Sequence, residues 1–408
     1  MKILIVSLYW PPAGGPGVQR PLKLAGHLVQ LGFEVHVLAP DDPKWLHRDE
    51  SLVVPAGVVE HRARNVGPRA RRPAEELWAA QGLRRAGLQA ELAARALLVP
   101  DASVVWQATA APAAIRLVRR HRIAAVLTTS PPGSVHLAGA AAKRVTGVRW
   151  VADLRDSLAS FAHRRREIRG ERALARLVAR RADAVVCVSQ AIARETAALG
   201  PRGRLEVIEN GADFDDFAGL PYRRGERFRI THTGSFFGRR DPRPFLEALA
   251  RSGPEVVARF VGDFRAADRA FAERLGLGDR LELVPYLPRA EALALQRDSD
   301  ALLLLIPEAD GRGRGVLSGK VFEYLAAERP VLAAVPPEGE AAALVSETGA
   351  GVVVAPDDVD GLASAVDGLV ARWRDGGLEG TPLSAAARAR VSRRARAEKL
   401  AALLRNLA

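Results

Sequence analysis

Residues 3–38 read ILIVSLYWPPAGGPGVQRPLKLAGHLVQLGFEVHVL, and their pattern of apolar runs and glycines points to the fold. Ile3–Leu8 is a continuous β-rich apolar run. A strand with one wet face would alternate, so this one is covered on both faces. A Pro/Gly loop, Pro11-Pro12-Ala13-Gly14-Gly15-Pro16-Gly17, separates it from an amphipathic helix over Val18–Leu31. Gly32 ends that helix, and Phe33–Leu38 is the next buried strand. Buried strand, helix, buried strand is the repeating unit of a parallel α/β sheet with helices on both sides.

The same alternation continues outward. Ala124–Leu127, Arg149–Ala152, Ala184–Val188 and Leu205–Ile208 are further short buried runs. A second series follows Asn210-Gly211-Ala212-Asp213, at Phe228–Thr233, Val257–Val261, Leu281–Val284, Ala301–Ile306, Val331–Ala334 and Gly351–Val354. A chain of 408 residues exceeds what one hydrophobic core serves. The expected organisation is therefore two doubly wound α/β domains, 1–210 and 211–384. A helical, Arg/Ala-rich tail, 385–408, is expected to pack back on the N-terminal domain. The boundary lies near Asn210–Pro221, a loop rich in turn formers. Asp41–Val99, with Trp45, Trp78 and the basic run Arg69–Arg72, has helical periodicity only after Pro73 and reads as an insertion after the second strand.

Composition closes off several classes. A hydrophobic fraction of 48% with 26% charged residues excludes a disordered or fibrous chain. The single cysteine, Cys187, excludes a disulfide framework and a zinc ribbon and fits a reducing, cytoplasmic setting. No apolar run nears the roughly 20 residues of a membrane span. The N-terminal run leads into Pro11-Pro12 without a small-x-small cleavage site, and so reads as a strand rather than a leader. The formal charge of +13 and isoelectric point near 10.7 attract polyanions or an anionic membrane surface. Only six of the 60 basic residues are lysine, however, and the arginines sit beside alanine runs, which is as much a compositional bias as a functional one. Aromatics make up 5% of the chain and no nucleic-acid-binding motif is present, so no nucleic-acid partner is expected.

Ligands of open α/β sheets bind beyond the carboxyl ends of the strands, and with two such domains the expected site is a cleft between them. Four loops there carry chemistry. Gly14 and Gly15 let backbone approach a ligand at a helix start, but the dinucleotide spacing G-x-G-x-x-G is absent. Trp150-Val151-Ala152-Asp153-Leu154-Arg155-Asp156 brings two carboxylates and a guanidinium off a buried strand; the plain alternative is an internal ion pair that fixes the loop. Near this second loop, His136, after Ser130-Pro131-Pro132-Gly133, faces a ligand or packs. Thr233-Gly234-Ser235-Phe236-Phe237-Gly238-Arg239-Arg240 pairs glycines with guanidinium forks suited to a diphosphate, set against an ordinary surface arginine pair.

The fourth loop, Leu317-Ser318-Gly319-Lys320-Val321-Phe322-Glu323-Tyr324-Leu325-Ala326, says most. Ser318 is an N-cap, and Lys320 falls in the first turn, where the helix dipole disfavours a cation by about 0.3–1 kcal/mol. A bound anion would compensate. Glu323 is placed to accept from ribose hydroxyls; the alternative is a Lys–Glu pair within the helix, worth a few tenths of a kcal/mol.

Together these residues resemble the family 4 glycosyltransferases, retaining enzymes of the GT-B fold with two Rossmann-like domains facing a central cleft. The matching pieces are the Gly14-Gly15 loop, Ser130-Pro131-Pro132, Val151-Ala152-Asp153-Leu154-Arg155-Asp156, Asn210-Gly211-Ala212-Asp213, and Gly319 through Leu332. The resemblance implies a nucleotide diphosphate sugar donor, a UDP-sugar first, and a glycan or lipid-linked acceptor in cell-surface polysaccharide synthesis at the inner membrane surface. Gly14 and Gly15 would line the donor sugar and diphosphate, with Arg239, Arg240 and Lys320 the phosphate cations. Glu323 would hold the ribose, and Tyr286 and Leu287 the base. The family's first motif glutamate falls at Gly315, so it is missing, and Gly311–Gly315 is expected to be a mobile loop. Many members carry a histidine after the strand ending at Ala152; here Asp153 or Asp156 would be the polar partner of the reacting sugar, beside Arg155. The cations would do the work of a metal, so neither metal nor cofactor is expected, and no His/Cys/Asp group has ligand spacing along the chain. A nicotinamide-dependent two-domain oxidoreductase is the alternative, weakened by Val37-Leu38-Ala39-Pro40, which puts no carboxylate at the end of strand two before Asp41.

Overall fold

The computed structural model describes residues 1–41, 48–66, 82–95, 97–158, 165–236, 240–308, 313–378 and 380–407. Trp45, Trp78, Arg69–Arg72, Arg239 and part of the Gly311–Gly315 stretch lie outside the described residues. The chain divides into two compact units, Met1–Glu209 with Arg396–Ala408, and Asn210–Ala395.

The first unit is built on β1 (Lys2–Ser7), β2 (Glu34–Pro40), β3 (Val58–Ala63), β4 (Ala125–Thr129), β5 (Arg149–Leu154), β6 (Ala184–Cys187) and β7 (Arg204–Val207). They lie in the order β3-β2-β1-β4-β5-β6-β7, and every pairing is parallel. The second unit has β8 (Phe228–Thr233), β9 (Val256–Val261), β10 (Leu281–Val284), β11 (Ala301–Leu305), β12 (Val331–Ala334) and β13 (Gly351–Val354), in the order β10-β9-β8-β11-β12-β13. In both sheets the order reverses beside the first strand. That switch point opens a crevice at the strands' carboxyl ends.

The central strands are buried along nearly their whole length, which is why their sequences are continuous apolar runs. Helix Pro16–Gln30 begins where Gly15 takes φ +87° and Pro16 fills the first turn. Two differences from the sequence reading concern edges. Val58–Ala63 is a strand inside the segment read as an insertion; it is a sheet edge, largely open to solvent, so Glu60 and Arg62 break the apolar pattern. The tail is two helices, Ala385–Val391 and Arg393–Leu407, because Ser392 is extended at ψ 132°. Ala397, Leu400, Ala401 and Leu404 of the second join the core of the first unit with Leu24, Leu28 and Phe33. Among the described residues, no helix is long and apolar enough to cross a membrane.

Candidate active site

In the second unit the chemistry gathers where β8 ends. Gly234 follows it at φ +119°, a backbone that only glycine adopts without strain. A Cβ there would lie 2.5 Å from the Lys320 Nζ, so the glycine also makes room for the lysine. Lys320 stands in the first turn of helix Gly319–Ala327, whose N-cap Ser318 accepts from the Lys320 amide at 3.3 Å. Its Nζ lies 3.2 Å from Nε2 of the buried His232. The other ring nitrogen, Nδ1, is 2.8 Å from the Leu303 carbonyl oxygen, which can only accept. The proton therefore sits on Nδ1, and Nε2 accepts from the lysine. Burial, then the Lys320 charge, hold His232 well below its ordinary value, so the ring is neutral.

Burial also holds Lys320 well below the usual lysine value, and the nearby Arg240 guanidinium adds to this more than Glu323 offsets it. Arg240 is half-buried, donates to the Ser235 carbonyl at 3.3 Å, and is itself lowered by burial. Two crowded cations at a helix N-terminus make a strong anion site.

Glu323 lies one turn along the helix. Arg289 reaches its Oε1 at 2.5 Å and Oδ2 of Asp216 at 3.1 Å. Burial works against the Arg289 charge, but the two carboxylates overcome it and hold the guanidinium above its usual value. Gln296 donates to Thr233 Oγ1 at 2.9 Å and to Glu323 Oε2 at 3.4 Å. The buried Tyr324 hydroxyl accepts from the Thr233 amide at 2.9 Å, and burial pushes it up to about 12. These contacts lock the end of β8 to helix Gly319–Ala327. Tyr286 and Leu287 are half-buried in the segment that leads into Arg289. The Asp213–Asp216 run does not converge: Asp213 pairs with Arg393, Asp216 with Arg289, and Asp215 points to solvent.

The first unit has its own polar cluster at the carboxyl end of β5. Asp153 is 2% exposed, and Arg20, itself 3% exposed, holds it with two nitrogens, the closest contact being 2.7 Å. Thr129 donates to it at 2.7 Å, and Arg20 also donates to the Ile208 and Glu209 carbonyls at 2.9 and 2.8 Å. Burial favours the neutral acid, but Arg20 outweighs it and keeps the Asp153 carboxyl below its usual range. The internal Arg–Asp pair at this loop thus exists, with Arg20 rather than Arg155 as the partner.

Arg155 ties two loops, donating to the Ser130 carbonyl and, at 2.7 Å, to the Gly17 carbonyl. It therefore fixes the loop holding Gly14 and Gly15, both half-buried, against the Ser130-Pro131-Pro132 turn. Asp156 is half-buried and makes no hydrogen bond among the described residues; burial raises its carboxyl despite Arg155. His136 is a packing residue, fully buried 2.8 Å from Thr128 Oγ1 and pushed down to about 3 by burial. Asp101 pins the same turn from outside the motif, accepting from Ser134 N at 2.8 Å and Oγ at 2.7 Å.

The sequence missed Arg20, Asp101, His232, Arg289, Asp216 and Gln296, because each acts through a partner far along the chain. It also found no metal-ligand group. Folding nevertheless brings ring nitrogens of His36, His61 and His121 within 4.8 Å of one another. Parallel pairing of β2 with β3 supplies the first two, a juxtaposition that spacing along the chain does not encode.

Residues 91–216 match the family model for Glycosyltransferase Family 4, and residues 227–372 match that for Glycosyl transferases group 1. Among solved structures, the chain is similar to sucrose-phosphate synthase from Thermosynechococcus elongatus, with TM-score 0.71 at 16% identity over 100% of this chain and 98% of that one. It is also similar to Anabaena HepE in complex with UDP-glucose, with TM-score 0.67 at 19% identity over 100% of both. The lipopolysaccharide outer core galactosyltransferase WaaB aligns with TM-score 0.58 at 13% identity over 99% of this chain and 100% of that one. No curated protein matches the chain. Two parallel-sheet units with this strand order, glycosyltransferase family matches over both, and GT-B neighbours spanning the whole length place the chain among the GT-B glycosyltransferases.

Proposed function

We propose that this glycosyltransferase moves a sugar from a UDP-sugar to a glycan or lipid-linked acceptor of cell-surface polysaccharide synthesis, with retention at the anomeric carbon and without a metal at the diphosphate. The observation that carries the reading is the grouping of Lys320, Arg240 and Glu323 around the Gly234 turn. Support for the nucleotide comes from HepE, a structural neighbour solved with UDP and with UDP-glucose.

In this reading the bond from C1 of the donor sugar to the diphosphate oxygen breaks, and Lys320 and Arg240 neutralise the charge that develops on the leaving group. The acceptor hydroxyl oxygen bonds to C1 on the face the diphosphate leaves, and its proton departs with the phosphate. Glu323, oriented by Arg289 and Gln296, keeps lone pairs for the ribose hydroxyls. Tyr286 and Leu287 would flank the base. Of the two aspartates, Asp156 is the better partner for the reacting sugar, since Arg20 and Thr129 already occupy Asp153. Arg155 would act by shaping the Gly14-Gly15 loop. The basic surface would hold the enzyme at an anionic membrane.

The test is product analysis with a panel of UDP-sugars and simple glycan acceptors, reading the anomeric coupling by NMR with and without EDTA. Retention with undiminished initial rates in EDTA is expected. An inverted product, or an absolute requirement for divalent metal, would overturn the respective part.

A further inference from the structure

The chain has eight histidines, and three of them meet at one point. His36 comes from β2 and His61 from β3, on the sheet face covered by helix Gln107–His121. His121 is the last residue of that helix. The place lies toward the side where the strands begin, whereas Asp153 and Arg155 stand at the opposite, carboxyl end of β5.

The geometry is that of a ligand set. His36 is 2% exposed, and its Nε2 lies 3.1 Å from the Glu34 carboxylate, which can only accept. The proton is therefore on Nε2, and Nδ1 carries a lone pair. That Nδ1 accepts a hydrogen bond from His61 Nε2, 2.9 Å away, and a bound ion would take the place of this shared proton. Glu34 is in turn held by Lys2 at 2.9 Å. A carboxylate that fixes the tautomer of an imidazole from behind is the usual support of a metal-binding histidine. His61 and His121 are half-buried, and a cavity of about 780 Å³ opens beside His61 between Leu38, Leu117 and Arg120. An ion and a water therefore have a way in.

We propose that His36, His61 and His121 bind one divalent late transition-metal ion, Zn²⁺ foremost, with water in the fourth position and Glu34 as the support behind His36. Three neutral imidazoles suit Zn²⁺, Ni²⁺, Cu²⁺ or Co²⁺ and do not suit Mg²⁺ or Ca²⁺. Tetrahedral Zn–N bonds of about 2.0–2.1 Å place the nitrogens ~3.4 Å apart. Small side-chain rotations about His61 and His121 bring them there from their present separations of up to 4.8 Å. Lys2 and Arg120 are the neighbouring cations and oppose the ion, while Glu34 favours it. The ion would clamp β2 and the edge strand β3 to helix Gln107–His121, a structural role away from the proposed chemistry.

The experiment uses the full chain stripped with chelator, titrated with Zn²⁺ against a chromophoric competitor, and with Co²⁺ followed by its visible spectrum. One equivalent per chain, a tetrahedral Co²⁺ spectrum and a raised thermal midpoint are expected. His121→Gln, at the half-exposed helix end, keeps the fold and should abolish these effects; Glu34→Gln should weaken binding about ten-fold. EDTA should lower the midpoint of the loaded protein without changing its initial rate at low temperature. Substoichiometric Zn²⁺ uptake, or uptake undiminished in folded His121→Gln, would show that the three rings only pack and overturn the site.

Discussion

Lys320 is a residue kept at a cost. Its folded value is depressed by burial and Arg240, so the unfolded chain holds a proton that the folded chain resists. The lysine therefore costs stability below its folded value, and that cost vanishes as pH rises past the ordinary lysine value. Lys320→Met should raise the thermal midpoint of the ligand-free protein, by about 2–4 °C for each kcal/mol relieved, while weakening stabilisation by nucleotide sugars. A diphosphate beside the ammonium raises its value again, so donor binding takes up a proton and weakens as pH rises through the window between the two values. Calorimetry in buffers of different ionisation heat measures that uptake; none across the alkaline range would contradict it. The two aspartates separate in the same way. Asp153→Asn leaves Arg20 buried without its counter-charge and should cost about 3–5 kcal/mol in a urea titration. Asp156→Asn removes a carboxylate that burial already disfavours, so it should leave stability unchanged or higher while lowering kcat. Equal destabilisation by both would contradict the division of roles.

At the scale of elements, the Gly234 turn and helix Gly319–Ala327 work as one device. Gly234→Ala puts a Cβ into the Lys320 ammonium and strains φ, so donor affinity should fall with little loss of secondary structure by circular dichroism. Ser318→Ala should cost about 1 kcal/mol through the lost cap. Arg289→Met leaves Glu323 and Asp216 facing each other and should raise KM for the donor more than it lowers kcat. What was legible here was local. Ser318, Lys320 and Glu323 fall within the first two turns of one helix, and the Gly14-Gly15 and Ser130-Pro131-Pro132 turns announce themselves by composition. The partners were not legible, because they lie across strand crossovers. His232 is 88 residues from Lys320, and Arg289 is 34 from Glu323 and 73 from Asp216. The edge strand Val58–Ala63 was not legible for a related reason: an exposed edge need not be apolar, so it carries no continuous apolar run.

At the scale of the whole molecule, buried parallel strands carry an unmistakable pattern, so both sheets were readable from apolar runs except for the polar edge strand Val58–Ala63. The charge of +13 was the least informative quantity. Several arginines are internal struts: Arg20 on Asp153, Arg393 on Asp213, and Arg329 stacked 3.7 Å over the Tyr222 ring with its Nη2 donating to the Leu378 carbonyl at 3.0 Å. Those cations serve the fold and meet no polyanion. The proposed donor site depends on Lys320 and Arg240, and calorimetric titration of the wild-type chain and Lys320→Ala with UDP-glucose and a set of other nucleotide diphosphate sugars tests it most directly. One donor should bind the wild type at one site, and roughly ten- to hundred-fold more weakly the folded variant. No binding by any donor, or equal affinity in both proteins, would contradict the account.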